Sequence, residues 1–580
     1  MADKPKLIVL KFGSSVLRDE KDLPRAVHEI YRWWRQGAQV LAVVSAFGNT
    51  TDQLLRRAEN VCEQPERTML PSLLATGETI ACALLGMNLK KAGIPAKVLD
   101  TVQAGLRTAG GVLDADLVAV DVARLCGELR QAVVVLPGFI GRSEDGNTTL
   151  LGRGGSDLSA LFLAHRLGGE CILLKDVDGI YASDPARATT PPLRFAEIKY
   201  ETASGLAGKL VQSKALHFAA AHRIQFQVTS VGSAHQTIVG SPIDRLAVTQ
   251  INPKPLRVAL LGCGTVGGGV YQALAALPEL FTVTGVGTRN RERACSAGVP
   301  DRLITDSLEQ LIEDSSDVVI EAIGGTKSAE NSVSGALRAG SHVVTANKAL
   351  MALEGERLTS LATDYGVTLR YSAAVGGALP ALETIERARS HGPLRSFRGV
   401  LNGTTNFVLD RLAEGQDLKG AVGAAQQAGY AEADCRFDLN GTDAAQKLIL
   451  LARKAFDSRL PFDTIERVSL EEVDQQRLRK SRSRGQVIRY VASCHQETGR
   501  LRASVKPVEL LHTDPLASVT GTENRLLIEF ESGASFIVSG QGAGRWPTAE
   551  AVMADLLDIR RETQFISENE AIENREECVA

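Results

Sequence analysis

Short apolar, β-branched runs alternate with amphipathic stretches through most of this chain. In the first 240 residues, "KLIVLKFG", "QVLAVVSA", "QAVVVLPGFIG" and "ECILLKDV" are separated by segments such as "DLPRAVHEIYRWWRQG". Apolar runs bounded by glycine, with helical segments between them, predict a parallel sheet buried on both faces. A second cycle starts at "LRVALLGCG" and continues through "FTVTGVGT", "DVVIEAIGG", "SHVVTANK" and "VTLRYSAA". Between the cycles, Gly240 to Leu256 ("GSPIDRLAVTQINPKPL") is rich in proline and polar residues and reads as a boundary. After residue 390 the pattern is mixed, with strand-like "SVKPVELL", "RLLIEFES" and "ASFIVSGQG" among helical segments. The last stretch, "SENEAIENREECVA", is charged and aperiodic and reads as a fraying tail.

Composition narrows the function classes. A chain of 580 residues exceeds one hydrophobic core and predicts several domains. A net charge of -3 offers no basic footprint for nucleic acid. The start has no apolar run of signal-peptide type, and no stretch approaches the roughly 18 uninterrupted apolar residues of a membrane span. Nine cysteines without a C-x-x-C pair suggest neither a zinc site nor a disulfide framework. These features predict a cytoplasmic protein acting on small molecules, without nucleic-acid or membrane partners.

Candidate chemistry begins at "LLGCGTVGGGV", where Gly262, Gly264 and Gly267 form a G-x-G-x-x-G pattern between a strand and a helix. Such glycines allow a tight turn and close approach of a pyrophosphate to a helix N-terminus, with Thr265 and Val266 in the loop. At the end of the next strand stand Thr288, Arg289, Asn290 and Arg291 rather than the acidic residue that suits a ribose 2′-hydroxyl. Arg289 and Arg291 suit a 2′-phosphate, which favours NADPH, with NADH the alternative if both arginines are merely solvated. In "DAAQKLILLA", Asp443 and Lys447 are four apart and share a helix face.

Together with "VVTANKALMA", "YSAAVGGALPALETI", "GVLNGTTNFVL" and "AGYAEADCRFDLNGTDAAQKLILLA", the second cycle resembles the homoserine dehydrogenase family over Leu256 to Glu562. The resemblance implies NAD(P)H-dependent interconversion of aspartate 4-semialdehyde and homoserine. It also implies two active-site lysines, Lys348 and Lys447, with Asp443 paired to Lys447, and Glu432 and Asp438 on the polar end of the substrate. Hydride addition to an aldehyde creates an alkoxide, so an ammonium nearby makes chemical sense. The family usually has an acidic residue at the position of Ser372 that helps bind a monovalent cation. Here only the backbone carbonyls of Val375 and Gly377 stand for that site, so sodium or potassium binding is left open.

The first cycle carries "KFGSSVL", "VVSAFGNTTD", "LATGETIA", "TTLLGRGGSDLSALFLA" and "LLKDVDGIYASDP", which resemble the amino-acid kinase superfamily and, within it, aspartate kinase. The likeness covers Lys6 to Gly240 and implies transfer of phosphate from Mg2+-ATP to aspartate. It places Lys11 near the transferred phosphoryl group, and Ser45, Thr51, Glu78, Arg153 and Asp157 around aspartate. Asp176, Asp178, Tyr181 and Lys214 fall on the nucleotide side. A guanidinium for a carboxylate and acids for an ammonium fit an amino-dicarboxylate. Three departures stand out: Ser14 and Ser15 in the first loop, Lys175 for a hydroxyl residue before "DVDG", and Ala186 where an arginine is common, with Arg187 next to it. A degenerate kinase retained as a scaffold is therefore the alternative to a bifunctional enzyme.

The fold class implied is α/β: an amino-acid-kinase-type domain over 1–240 and a linker over 241–256. A Rossmann domain follows over 257–390, completed by 541–565, with an α+β substrate and dimerisation domain over 391–540 and a tail over 566–580. Relatives of the bifunctional type usually insert two ACT-type regulatory domains between the halves. Their absence predicts no threonine feedback through such modules, and leaves residues 391–540 to form a homodimer or higher homo-oligomer.

Overall fold

Four sheets organise the described residues. The computed structural model describes residues 5–183, 192–206, 210–247, 254–314, 316–431, 434–497 and 499–579. At the centre of a nine-stranded sheet, Phe226–Ser230, Glu170–Lys175, Leu7–Phe12, Gln39–Val44 and Val133–Pro137 lie side by side in parallel. Almost every residue of these strands is buried, as expected of a sheet covered by helices on both faces. The register sets Lys11 between Val43 and Leu173, near the carboxyl ends of the strands. Ligands of open parallel sheets bind in the crevice at that end. One covering helix, Leu70–Lys91, is long and apolar enough to cross a membrane by length and composition alone. It buries Leu74, Ala81, Leu85 and Leu89, and it carries the buried Glu78.

A second sheet has six parallel strands: Leu256–Leu261, Phe281–Gly287, Ile304–Thr305, Val318–Glu321, His342–Thr345 and Leu369–Arg370. Numbered along the chain, their spatial order is 3-2-1-4-5-6, the dinucleotide-binding order. The third sheet, also six-stranded, contains the antiparallel strands Leu394–Val400, Gln486–Glu497, Arg500–Leu511, Glu523–Phe530 and Ser535–Gln541. A small fourth sheet is built from Arg107–Gly111, Asp114–Ala119, Ile140–Arg142 and Thr148–Leu150. Its polar, glycine-containing strands lack the apolar run that marks the others.

Two sequence expectations need correction. Within 241–256, Arg245–Leu246 is an edge strand paired antiparallel to Phe195–Ile198, and Leu256 already opens the second sheet. Two residues are too few for a period of two to show. Of the supposed tail, residues 566–579 continue the final helix, Arg545–Val579. That stretch has no proline or glycine and is rich in glutamate, a good helix former.

The two halves are braced against one another by the helices Leu23–Arg35 and Arg545–Val579. His28 Nδ1 lies 2.6 Å from Glu550 Oε1, and Arg35 Nη1 lies 2.9 Å from Asp555 Oδ1. The other arm of Arg35 reaches Asp558. Arg35 is 3% exposed and Asp555 is not exposed at all, so the pair is fully desolvated. Breaking a buried pair strands the remaining charge. Arg35→Ala is therefore expected to cost about 3–5 kcal/mol, read as an earlier denaturant midpoint for the dehydrogenase-like half, and an unchanged midpoint would refute the strut.

Candidate active sites

In the second half the site is built around one carboxylate. Asp443 sits in the first turn of the helix Thr442–Phe456, and Lys447 one turn later. Lys447 Nζ is 2.9 Å from Asp443 Oδ2 and also donates to the Leu401 carbonyl at 2.7 Å. Lys348, the first residue of the helix Lys348–Asp364, places its ammonium 2.9 Å from Asp443 Oδ1. Asn402 donates from Nδ2 to Asp443 Oδ2 at 2.9 Å and to Asp438 Oδ1 at 2.6 Å. Asp443 and Lys447 are buried, whereas Lys348 is 39% exposed.

The charges are ordered accordingly. Burial pushes the Asp443 carboxyl up, but the ammonium groups of Lys447 and Lys348 outweigh it and hold the group well below the carboxylate range. Asp438 moves the other way, raised by burial and by the neighbouring Asp443. A carboxylate fixed as an anion holds two lysine side chains aimed into one space, which is what a developing alkoxide requires. Glu432 lies outside the described residues.

The glycine loop follows the strand Leu256–Leu261 and opens the helix Thr265–Ala275. Gly262 has φ +98°, and a Cβ there would press on the Ala322 carbonyl; one on Gly267 would overlap the Gly262 carbonyl. A Cβ on Gly264 meets nothing within 4 Å, so that peptide faces open space. This division into a turn glycine, an open glycine and a packing glycine fits a dinucleotide pyrophosphate. Beyond the next strand, Arg289 is exposed, while Arg291 is held by Asp301 at 2.6 Å. Arg293, which the sequence reading passed over, reaches Thr265 Oγ1 at 2.7 Å across the loop mouth.

Two further residues were not singled out from sequence. Glu321 ends an apolar strand with no exposure, receives the N–H groups of Ile323 and Gly324, and accepts from Thr345. It shapes the turn facing the glycine loop, and the signal was an acid closing the run "DVVIEAIGG". Asn402 stands in the quoted "LNGTTN", yet nothing in the local pattern connects it to Asp443.

The segment proposed for a monovalent cation forms a short helix, Ser372–Gly376, followed by Gly377 at φ +54°. The Ser372 N–H donates to Asp555 Oδ2 at 3.0 Å. Two carboxylates meet this segment, Asp555 and Glu383, and both already face the Arg35 guanidinium. The residues therefore fit a bound cation poorly, despite the carbonyls of Val375 and Gly377.

In the first half a second carboxylate is shared by two lysines. Asp157, in the first turn of the helix Gly155–Leu167, lies 2.7 Å from Lys11 Nζ through Oδ1 and 2.9 Å from Lys175 Nζ through Oδ2. All three are buried. Burial raises the Asp157 carboxyl, yet the two ammonium groups prevail and lower it. Lys175, noted from sequence only as a departure, is pulled down to about 8 by burial and by the charge of Lys11. The Lys11 ammonium folds back over Gly13, where a Cβ would come within 2.8 Å of it.

Glu78 is 2% exposed and accepts the Ala46 N–H at 3.2 Å, beside Ser45. Its other oxygen, Oε2, is buried without a hydrogen-bond partner. Burial raises its carboxyl to about 7. Thr51 is half-buried on the helix Thr50–Val61, and Arg153 is exposed on the turn into Gly155–Leu167. Asp176 is exposed just after Lys175. Tyr181 donates to Asp178 at 2.6 Å, and Lys214 is gripped by Asp114 at 2.6 Å, by Asp116 and by the Leu151 carbonyl. Ala186 and Arg187 lie outside the described residues.

Comparison with known proteins matches three successive stretches of the chain. The model of the amino acid kinase family matches residues 6–230. That of the homoserine dehydrogenase NAD-binding domain matches 262–372, and that of homoserine dehydrogenase matches 380–557. A homoserine dehydrogenase of Synechocystis sp. is 32% identical over 335 residues, covering 56% of this chain and 77% of that protein. One of Bacillus subtilis is 31% identical over 318 residues, covering 53% and 73%. Among solved structures, a homoserine dehydrogenase from Thiobacillus denitrificans aligns with a TM-score of 0.51 at 31% identity, covering 54% of this chain and 74% of that one.

Proposed function

The chain belongs to the homoserine dehydrogenase family, and from that premise we propose that it is a bifunctional enzyme. One activity reduces L-aspartate 4-semialdehyde to L-homoserine with NAD(P)H; the other phosphorylates L-aspartate with ATP. The observation that carries the first is Asp443 clamped between Lys348 and Lys447. Nicotinamide supplies the hydride when bound. The protein's own part is to hold the two ammonium groups where the aldehyde oxygen gains charge, and to return a proton to it. Asn402 and Asp438 face the substrate's polar end in this reading. Arg289 and Arg293 at the loop mouth favour NADPH over NADH. No step runs through a monovalent cation.

For the kinase half, the support is the Lys11–Asp157–Lys175 group at the carboxyl ends of the parallel strands, with the unpaired Glu78 oxygen nearby. Phosphoryl transfer is mostly positioning and charge neutralisation, and two buried cations supply the latter. Mg2+ enters with the nucleotide. Glu78 awaits the substrate ammonium. Residues 391–540 are the proposed homodimer surface, where Leu511 and Ile537 are exposed. The test is one preparation assayed for NADPH and NADH oxidation with aspartate 4-semialdehyde, and for aspartyl hydroxamate with aspartate, Mg2+-ATP and hydroxylamine. Failure of either assay removes that half of the proposal.

The kinase should have a bell-shaped pH profile. Glu78 binds an ammonium only when ionised, so affinity for aspartate falls as pH drops through about 7. Lys175 neutralises phosphate only when protonated, so turnover falls as pH rises through about 8. Glu78→Gln should flatten the acidic limb of kcat/KM, and an unchanged limb would exclude Glu78 as its source.

A further inference from the structure

The helix Leu70–Lys91, which covers the first sheet, has a second apolar face. Its inner face carries Leu74, Ala81, Leu85 and Glu78 into the core. On the outer face, Leu73, Thr76, Ile80, Ala83 and Met87 recur at alternating steps of three and four residues, the spacing of a helix–helix seam. Leu73 and Ala83 are half-buried, whereas Ile80 is 54% and Met87 66% exposed. The hydroxyls of Thr76 and Thr79 donate back to the carbonyls of Leu73 and Ala75, at 2.7 and 2.9 Å, so their donors are spent within the helix. From Leu70 to Leu89 the helix exposes no charge; Lys90 and Lys91, at its end, are the first. An uncharged outer face about five turns long marks an interaction site.

Two features identify what covers it. The seam reads alike from both ends: large Leu73, small Thr76, large Ile80, small Ala83, large Met87, with Ile80 at the middle of the helix. A two-fold axis at Ile80 sets two such helices antiparallel. Each Leu73 then lies against the partner's Met87, each Thr76 against the partner's Ala83, and Ile80 meets its own copy. Self-complementarity of this kind is what a two-fold interface requires. The area is also sufficient. The helix Thr50–Val61 packs beside it, with Leu54 next to Gly77, and on the other side Val98 lies against Gly86. A helix about 33 Å long with a flank on each side offers on the order of 800 Å², the share that one partner gives to a stable dimer. Because its inner face is buried, the helix is not free to span a bilayer.

We infer that this outer face pairs with the same face of a second copy of the chain. The surface is distinct from the one proposed over 391–540, and pairing through it depends on neither enzyme activity.

The test is sedimentation velocity of the full chain. Wild type should sediment at twice the mass of Ile80→Glu. That means tetramer against dimer if residues 391–540 also pair, and dimer against monomer if they do not, so the two surfaces fail separately. The substitution sets two carboxylates face to face on the axis and should weaken pairing at least about 100-fold. Leu73→Glu and Met87→Lys should each weaken it too. The double variant should recover it, because each introduced carboxylate then meets the partner's introduced ammonium. Within one chain the two positions lie about 21 Å apart along the helix, so the rescue reports on a second copy. Equal masses for wild type and Ile80→Glu would overturn the proposal, as would a double variant that pairs no better than either single one. Wild type that floats with phosphatidylcholine–phosphatidylglycerol vesicles, with no difference in mass from Ile80→Glu, would assign the face to a membrane surface instead. Should Ile80→Glu fail to fold, the Leu73 and Met87 set decides.

Discussion

Alanine at position 447 is expected to lower aldehyde reduction by a factor of about 1,000, within the range for loss of a positioned acid or charge stabiliser. Lys447 is 5% exposed and spans Asp443 Oδ2 and the Leu401 carbonyl, so its ammonium is fixed in place by the fold. The glycine loop is built from different elements, so NADPH should still quench or shift protein fluorescence on binding to Lys447→Ala. Lost binding together with lost turnover would indicate collapse of the fold rather than loss of chemistry. Lys348→Ala provides the comparison. Its ammonium shares the same carboxylate but is the more exposed of the two, so a smaller fall in kcat with a larger rise in KM would make it the substrate-holding partner. Turnover retained in Lys447→Ala would sink the assignment of this cluster as the reducing centre.

The second large effect is on phosphoryl transfer. Lys11→Ala should reduce aspartyl hydroxamate formation by at least about 100-fold, because a cation aimed at developing phosphate charge in a dry site is worth about 3 kcal/mol or more. The same preparation should keep its dehydrogenase rate, since Lys11 lies on a strand of the first sheet and Asp443 on a helix of the other half. Asp157→Asn should fall similarly by releasing both Lys11 and Lys175. Wild-type protein that reduces aldehyde but yields no hydroxamate would instead identify residues 1–240 as a retained scaffold. Equal hydroxamate from wild type and Lys11→Ala would locate the phosphate-handling cation elsewhere.

Arg35 connects these two experiments to the architecture. The helix that carries it covers the first sheet, and its side chain reaches through to the acids of the last helix. A variant at position 35 thus reports on how far the halves depend on one another.

Much of this was written locally. The two strand cycles, the glycine turn at Gly262 and the shared helix face of Asp443 and Lys447 follow from short continuous apolar runs, a period of 3.6 residues and turn chemistry. Those are set by neighbours a few positions apart. The two-residue edge strand at Arg245, the hairpin sheet over Arg107–Leu150 and the helical end of the chain were not legible, because their residues carry little apolar periodicity. Partner choice was still less so. Lys348 and Asn402 converge on Asp443, Lys175 joins Lys11 on Asp157, Arg291 turns to Asp301 while Arg293 meets the glycine loop, and Arg35 crosses to Asp555. The sequence alone determined most of the elements and the chemistry they carry. Only tertiary packing decided which charges share a carboxylate, because that depends on distances between segments far apart in the chain and on the loss of water around them.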